Sequence, residues 1–452
     1  MRTEEISSLF LVVCVGCGTR ANGDGGSAGT AGTAAASSTG ASVTGQGPGG
    51  SGSNGGGSDV TGTSAASTTS GDSGGLACGP GTHEEDGLCV PDEDMRPEGW
   101  CVPVVLGDPI QVDEYNVFSK TIGAGAIAWT GSEYLVLLAE TSGQATKLVL
   151  RSVGTDGTVS APSTVLQGAP LSGVEKPAHV ALRPCGAGYC GHAGNDKTVT
   201  NGSEAGAVFL LDGAGSLAWT TARPAGDFAA LVSTGQHGLL VYAKKGWKLD
   251  PQGPTLVEVA GFAPAGNKDF VAASAFPDGS IVTLEHDDQA AEYAPVARTW
   301  TAEGAPVAGP VPIGAGLANP KAFDVVATMD GVVVAVGAFD QDVGIYTQGF
   351  TQDLVARGLH YVDFSPTRLG TTDAFAILVA TVPKWSAFAI DTFGRPNESA
   401  GGKPLPLPLP AGGGISTFES RFAPEDIDRL AWLTYSSTAD GAQILVLRLG
   451  CE

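Results

Sequence analysis

The sequence is poor in charge, and poorest in positive charge. Lysine and arginine number 24 against 47 aspartates and glutamates, a net charge of −23, and charged residues make up 16% of the 452, where about a quarter is usual. Neutralising phosphates needs a basic surface, so bulk nucleic-acid binding is excluded. Attraction to an anionic membrane surface through net charge is disfavoured for the same reason. A bilayer-spanning run is missing near the N-terminus, where the apolar stretch Leu9–Val15 falls far short of the roughly 20 residues a membrane helix needs. After residue 101 no helix-period segment of useful length occurs, which points to β structure. The same region lacks a phosphate loop, HExxH, an EF-hand and a dinucleotide fingerprint.

Side chains that carry chemistry are also thinly spread. His83, His179, His192, His237, His286 and His360 stand singly, which suits core or loop positions better than a metal cluster. Gly71-Asp72-Ser73-Gly74-Gly75 spells the nucleophile signature of trypsin-like proteases. No histidine precedes Ser73 and its flanks are low-complexity, so a triad has nothing to assemble from. The densest polar group, Glu285-His286-Asp287-Asp288, reads as a solvated loop rather than an acid–base pair or a cation site. No catalytic residue, no metal site and no cofactor is expected.

What is present begins with an export address. Residues 1–17 read as a signal peptide whose apolar run is closed by Gly16-Cys17, in the manner of a bacterial lipobox, making Cys17 the lipidation site. Residues 18–76 are almost wholly Gly, Ser, Thr and Ala. Nothing there can offset the entropy of ordering, so the tract reads as a disordered linker with a reach of roughly 40–45 Å. Residues 77–101 hold three cysteines, three prolines and seven acids and form a small Cys-containing loop module. Its unit CGPGTHEEDGLC resembles the one-disulfide loops that follow Ser/Gly tethers in uncharacterised secreted bacterial lipoproteins of high-GC δ-proteobacterial type. The resemblance implies an exported lipoprotein of the outer membrane or cell surface, with soluble secretion as the alternative. Membrane contact is then through a lipid anchor alone.

From residue 102 to 452 the β signal is continuous. Seven units of unequal length run over about 124–168, 178–224, 226–262, 269–314, 321–362, 365–410 and 418–450, close to the ~40–45 residues of a propeller blade. Within a unit the second run is the most apolar, as in Val332–Val336, and is expected to be buried on both faces. The fourth is short and Pro-containing, as in Ala305–Pro312 and the Lys403–Pro410 tract, which suits a blunted edge. The expected fold is all-β, a seven-bladed β-propeller. The seventh unit lacks its fourth strand, and Val102–Val112 has the right character to supply it, so an N-terminal strand should close the last blade.

With residues 1–16 removed and Cys17 acylated, six cysteines remain, which allow 15 pairings. Spacing favours Cys78–Cys89 in the small loop, Cys185–Cys190 across the first turn of unit two and, by remainder, Cys101–Cys451 at the ring junction. Topology places the turns between second and third strands, and the connections between blades, on one face of a propeller. Lys147, Lys176, Lys197, Lys244, Lys245, Lys268, Lys321 and Lys384 fall in or beside those segments, whereas Asp156, Asp212, Asp278, Asp330 and Asp391 mark turns at the other end. The lysines are therefore the candidate ligand-binding residues, for an anionic glycan or protein. The expected function is a surface-tethered monomeric lipoprotein whose propeller is a binding or scaffold module. The alternative is an exported propeller enzyme, a lyase or hydrolase acting on extracellular polymer.

Overall fold

The structure is a computed structural model. The described residues are 82–85, 88–91 and 103–451, except 116–120, 143–144, 172–173, 175–178, 196–205, 288–293, 318, 339–343, 363–368, 374, 381–385, 397–404, 410–421 and 439–440. The signal segment, Cys17, the 18–76 tract, Cys78, Cys101, Lys176, Lys197 and Lys384 lie outside them. All described residues belong to one compact unit, Asp72–Glu452.

Every regular element among the described residues is a strand, and the strands form seven antiparallel sheets and one short hairpin. Blade one is Thr121–Trp129, Glu133–Ser142, Ala145–Gly154 and Ser163–Gln167. Blade two is His179–Cys185, Gly188–Gly194, Gly206–Leu211 and Leu217–Ala222. Blade three is Phe228–Ser233, Gly238–Tyr242, Lys245–Leu249 and Leu256–Glu258. Blade four is Asp269–Ala275, Ile281–His286, Val296–Trp300 and Pro306–Pro312. Blade five is Pro320–Thr328, Gly331–Ala338, Gly344–Phe350 and Ala356–Val362. Blade six is Leu369–Thr371, Ala376–Ala380, Ser386–Ile390 and Leu405–Pro406. Blade seven takes Phe422–Asp426, Arg429–Thr438 and Gly441–Cys451 from the C-terminus. The chain is a seven-bladed β-propeller.

Blade seven is completed from the N-terminal side. Pro103–Val105 pairs with the last strand at Pro103↔Cys451 through Val105↔Leu449. Ile110–Tyr115 then pairs with the same strand from Val446 back to Ala442. The closing segment comes in two pieces because the chain turns at Gly107, whose φ of +82° suits glycine. It also runs three residues beyond the expected Val112. Apart from the blades, Thr82–Glu85 and Leu88–Pro91 pair antiparallel from Thr82↔Pro91 to Glu85↔Leu88.

The apolar residues sort into seams between neighbouring blades rather than into one central core. The double-sided burial of the second strands follows from this. In blade five Val332, Val334 and Val336 face the seam with blade four, while Val333 and Ala335 face the seam with blade six. Successive side chains of a strand point to opposite faces, so a run of five small β-branched and alanine residues fills two seams at once. The fourth strand of blade four, Pro306–Pro312, is largely exposed, and its three prolines suit a strand with one free edge. Within the Lys403–Pro410 tract, Leu405–Pro406 pairs with Ser386–Ala387 as the edge of blade six.

Candidate functional site

The first strands of all seven blades line the axis, and a cavity of about 440 Å³ opens between them. Its wall is kept back by small residues, Ala128, Ala181, Ala230, Ala273, Ala327 and Ala423, one from each of six blades. The cavity extends to Gly235, Pro277, Gly279 and Asp373, which sit at the turns between first and second strands. It therefore lies toward the acid-bearing end of the ring, and the lysine-bearing segments lie at the other.

Most polar groups in its wall are committed to holding blades together. Asp324 of blade five accepts from Val325 N at 3.0 Å and from Leu369 N of blade six at 3.0 Å. Ser274 Oγ of blade four accepts from Ala327 N of blade five at 3.1 Å. Thr371 Oγ1 reaches back from blade six to Ala327 O at 3.2 Å. Arg183 of blade two is the exception. Its Nη1 donates to Phe422 O of blade seven at 3.3 Å and to Leu182 O at 3.5 Å. Its Nε and Nη2 have no hydrogen-bond partner among the described residues. No carboxylate there lies within ion-pair distance, and Asp324 acts on it only through its field. Burial pushes the guanidinium down to about 10, with Asp324 offsetting part of that shift, so Arg183 remains a cation at neutral pH.

The other end of the ring presents the described lysines. Lys147 stands beside the turn between second and third strands of blade one and pairs with Glu140 at 3.1 Å. Lys244 and Lys245 occupy the same turn in blade three. Lys244 pairs with Asp269 at 2.6 Å and donates to the carbonyls of Asn267 and Lys268, each at 2.8 Å. Lys245 pairs with Glu258 at 2.9 Å. Lys268 donates to Ala294 O at 2.6 Å, and half-buried Lys321 opens the first strand of blade five. Lys244 and Lys268 thus share one patch at the junction of blades three and four, with Lys245 adjoining.

The acids at the cavity end build their own turns. Asp212 Oδ1 accepts from Ala214 N at 2.9 Å and Ser216 N at 2.8 Å. Asp391 Oδ1 accepts from Phe393 N at 3.0 Å and Arg395 N at 2.8 Å. Asp156 and Asp278 do the same for Thr158 and Ser280. These are side-chain-capped turns, with hydrogen bonds rather than an acidic surface as their reason.

Two sequence expectations meet the structure here. Glu285 is not in a solvated loop: it lies within the strand Ile281–His286 and is fully buried. Its carboxylate accepts from Ala265 N at 2.7 Å and pairs with Arg298 at 3.5 Å, and burial raises its pKa. Cys185–Cys190 is a disulfide with a Cα–Cα distance of 5.5 Å, stapling the first hairpin of blade two. Cys451 is also disulfide-bonded, and the Cys78–Cys89 pairing involves Cys78, which lies outside the described residues. Arg183 was not among the expected site residues. A lone arginine between Leu182 and Pro184 carries no motif, and its place on the axis is set by ring assembly.

No family model matches the chain, and no curated protein matches it. Among solved structures it is similar to the β-propeller domain of the Trilobed protease from Pyrococcus furiosus, at 10% identity and a TM-score of 0.44, covering 72% of this chain and 95% of that one. A protein of unknown function from Dyadobacter fermentans is similar at 11% identity and a TM-score of 0.45, over 77% and 99%. A gluconolactonase from Xanthomonas campestris is similar at 13% identity and a TM-score of 0.35, over 78% and 99%.

Proposed function

We propose that the chain is an exported lipoprotein, anchored through Cys17 and held off its membrane by residues 18–76, whose propeller is a binding or scaffold module for an anionic extracellular or envelope partner, glycan or protein. The observation that carries this reading is the patch of Lys244, Lys245 and Lys268 at the end of the ring away from the turn-forming acids. The ion pairs made by Lys244 and Lys245 are exposed, with side chains 56% and 54% accessible. Exposed pairs contribute little, so a partner's carboxylates or sulfates can replace Asp269 and Glu258. The disulfide Cys185–Cys190 suits an oxidising compartment.

The test reverses the patch. The double variant Lys244→Glu, Lys245→Glu is compared with wild type on an immobilised anionic polysaccharide under a salt gradient, with circular dichroism confirming the fold. The variant is expected to elute at clearly lower salt. Equal retention would remove the patch as the recognition surface. The axial cavity, with Arg183 and Asp324 in its wall, favours the second reading, an exported lyase or hydrolase acting on extracellular polymer. Turnover of such a polymer by the purified protein would replace the first reading with this one.

A further inference from the structure

We propose that the axial cavity is a binding site for a small carboxylate-bearing molecule, with Arg183 as its anchor. This site lies at the opposite end of the ring from the lysine patch and stands independently of it.

A guanidinium has five N–H donors in a rigid fork, and Arg183 uses only Nη1, on two carbonyls. The edge formed by Nε and Nη2, the one that matches a carboxylate with two parallel bonds, is unused among the described residues. Asp324, whose charge acts on Arg183 through its field, has each oxygen already accepting a backbone N–H, one from Val325 beside it and one from Leu369 of blade six. Ser274 and Thr371 are likewise engaged between blades. The cavity thus holds one cation with no ion-pair partner among the described residues, in a wall of alanines and committed polar groups. Arg183 is half-buried and lines the cavity, so an anion seated against its Nε–Nη2 edge gains a charge-assisted pair that the wall itself does not supply.

Size and charge narrow the ligand. A volume of about 440 Å³ lies at the lower end of small-molecule sites and fits a molecule the size of a sugar acid or an amino acid. Asp324 and Asp373 also line the cavity. They oppose a multiply charged anion and leave a single negative charge as the best match to Arg183. Asp324 oxygens retain lone pairs, so hydroxyl or ammonium donors at the ligand's far end have an acceptor across the axis.

The purified full-length protein is tested in chloride-free buffer by thermal melting and calorimetry with millimolar glucuronate, glutamate, glucose and sulfate. Glucuronate or glutamate is expected to raise the melting temperature, and glucose and sulfate to leave it unchanged. Arg183→Met is expected to weaken binding of the active carboxylate by roughly tenfold or more while melting no lower than wild type in the absence of ligand. Arg183→Lys, which keeps the charge but not the fork, should bind with intermediate affinity. The Lys244→Glu, Lys245→Glu variant should keep the full carboxylate response. The proposal is overturned by a ligand-free Arg183→Met that melts below wild type, because the side chain would then be a structural tie to Phe422. It is equally overturned by sulfate acting as strongly as the carboxylates, by no response to either carboxylate, or by loss of the response in the lysine variant.

Discussion

His192 shows how far the ring can bury polarity. Its ring is wholly inaccessible and stacks on Phe228 with centroids 3.9 Å apart and planes 1° from parallel. Neither ring nitrogen has a hydrogen-bond partner among the described residues. Burial, then the neighbouring His179 and Arg223, hold its pKa well below the usual value of 6.5. The unfolded chain takes up the proton near 6.5 and the folded chain does not. The resulting stability is therefore full above pH 6.5 and is lost as the pH falls below it. His360, lowered by burial to about 4, adds a term of the same sign between 6.5 and 4. His192→Phe keeps the stack and removes one titrating group. Urea unfolding at pH 7.5 and pH 5 should show the variant losing about 2 kcal/mol less than wild type over that interval. An unchanged difference would place the acid sensitivity elsewhere. Neither His192 nor Arg183 was legible as special in the sequence. Each is a single polar residue in an apolar run, and what it touches comes from another blade: Phe228 of blade three for one, Phe422 of blade seven for the other.

At the scale of elements, the turn from third to fourth strand is a repeated device. In blades two to six the chain leaves the third strand through Asp212, Asp250, Thr301, Thr351 or Asp391, and each side chain accepts a backbone N–H of its own turn. The carbonyl of each of these residues accepts from the residue three further on, at Gly215, Gly253, Gly304, Leu354 and Gly394. Four of those five residues have positive φ, including Leu354 at +61°, where the left-handed conformation is costly for a branched side chain. Two-residue signals such as Asp278-Gly279 were plain in the sequence, and so was the apolar second strand. This turn was less legible, because its first residue alternates between Asp and Thr and its fourth is not always glycine. The reading that the acids serve hydrogen bonding has a direct check. Asp212→Ala loses two side-chain caps and should cost about 1–2 kcal/mol. Asp212→Asn keeps an acceptor oxygen without the charge and should lie within about 0.5 kcal/mol of wild type. If the Asn variant falls as far as the Ala variant, charge is what matters at that end of the ring.

For the molecule as a whole, the decisive junction is the one where the chain ends meet. Five seams join blades that are each made from continuous sequence, but blade seven, with the two seams it makes, depends on segments more than three hundred residues apart. Three sets of contacts hold it. The closing strands pair with Gly441–Cys451. Arg151 of blade one reaches Asp113 of the closing segment at 3.2 Å. Glu425 of blade seven accepts from Tyr134 Oη of blade one at 2.7 Å and from Arg448 Nη2 at 2.8 Å. The need for closure was readable in the sequence because the last unit ran out one strand short while an unassigned edge-like strand preceded the first. The Tyr134–Glu425–Arg448 knot was not, since its members come from three strands with no local pattern. Cys451 is disulfide-bonded, and cysteine spacing leaves Cys101, two residues before the closing strand, as its expected partner. A bridge between them closes a loop of about 350 residues, for which the chain-entropy relation gives roughly 6 kcal/mol as an upper value. Peptide mapping without reductant should recover Cys101 joined to Cys451. Cys451→Ser should lower the unfolding free energy by up to that amount and speed amide exchange at Leu449–Cys451 before it reaches Ala442–Val446, because the three-residue strand Pro103–Val105 has the fewest bonds to lose. A Cys451→Ser protein as stable as wild type would mean that strand pairing and the Glu425 knot close the ring without help from the disulfide.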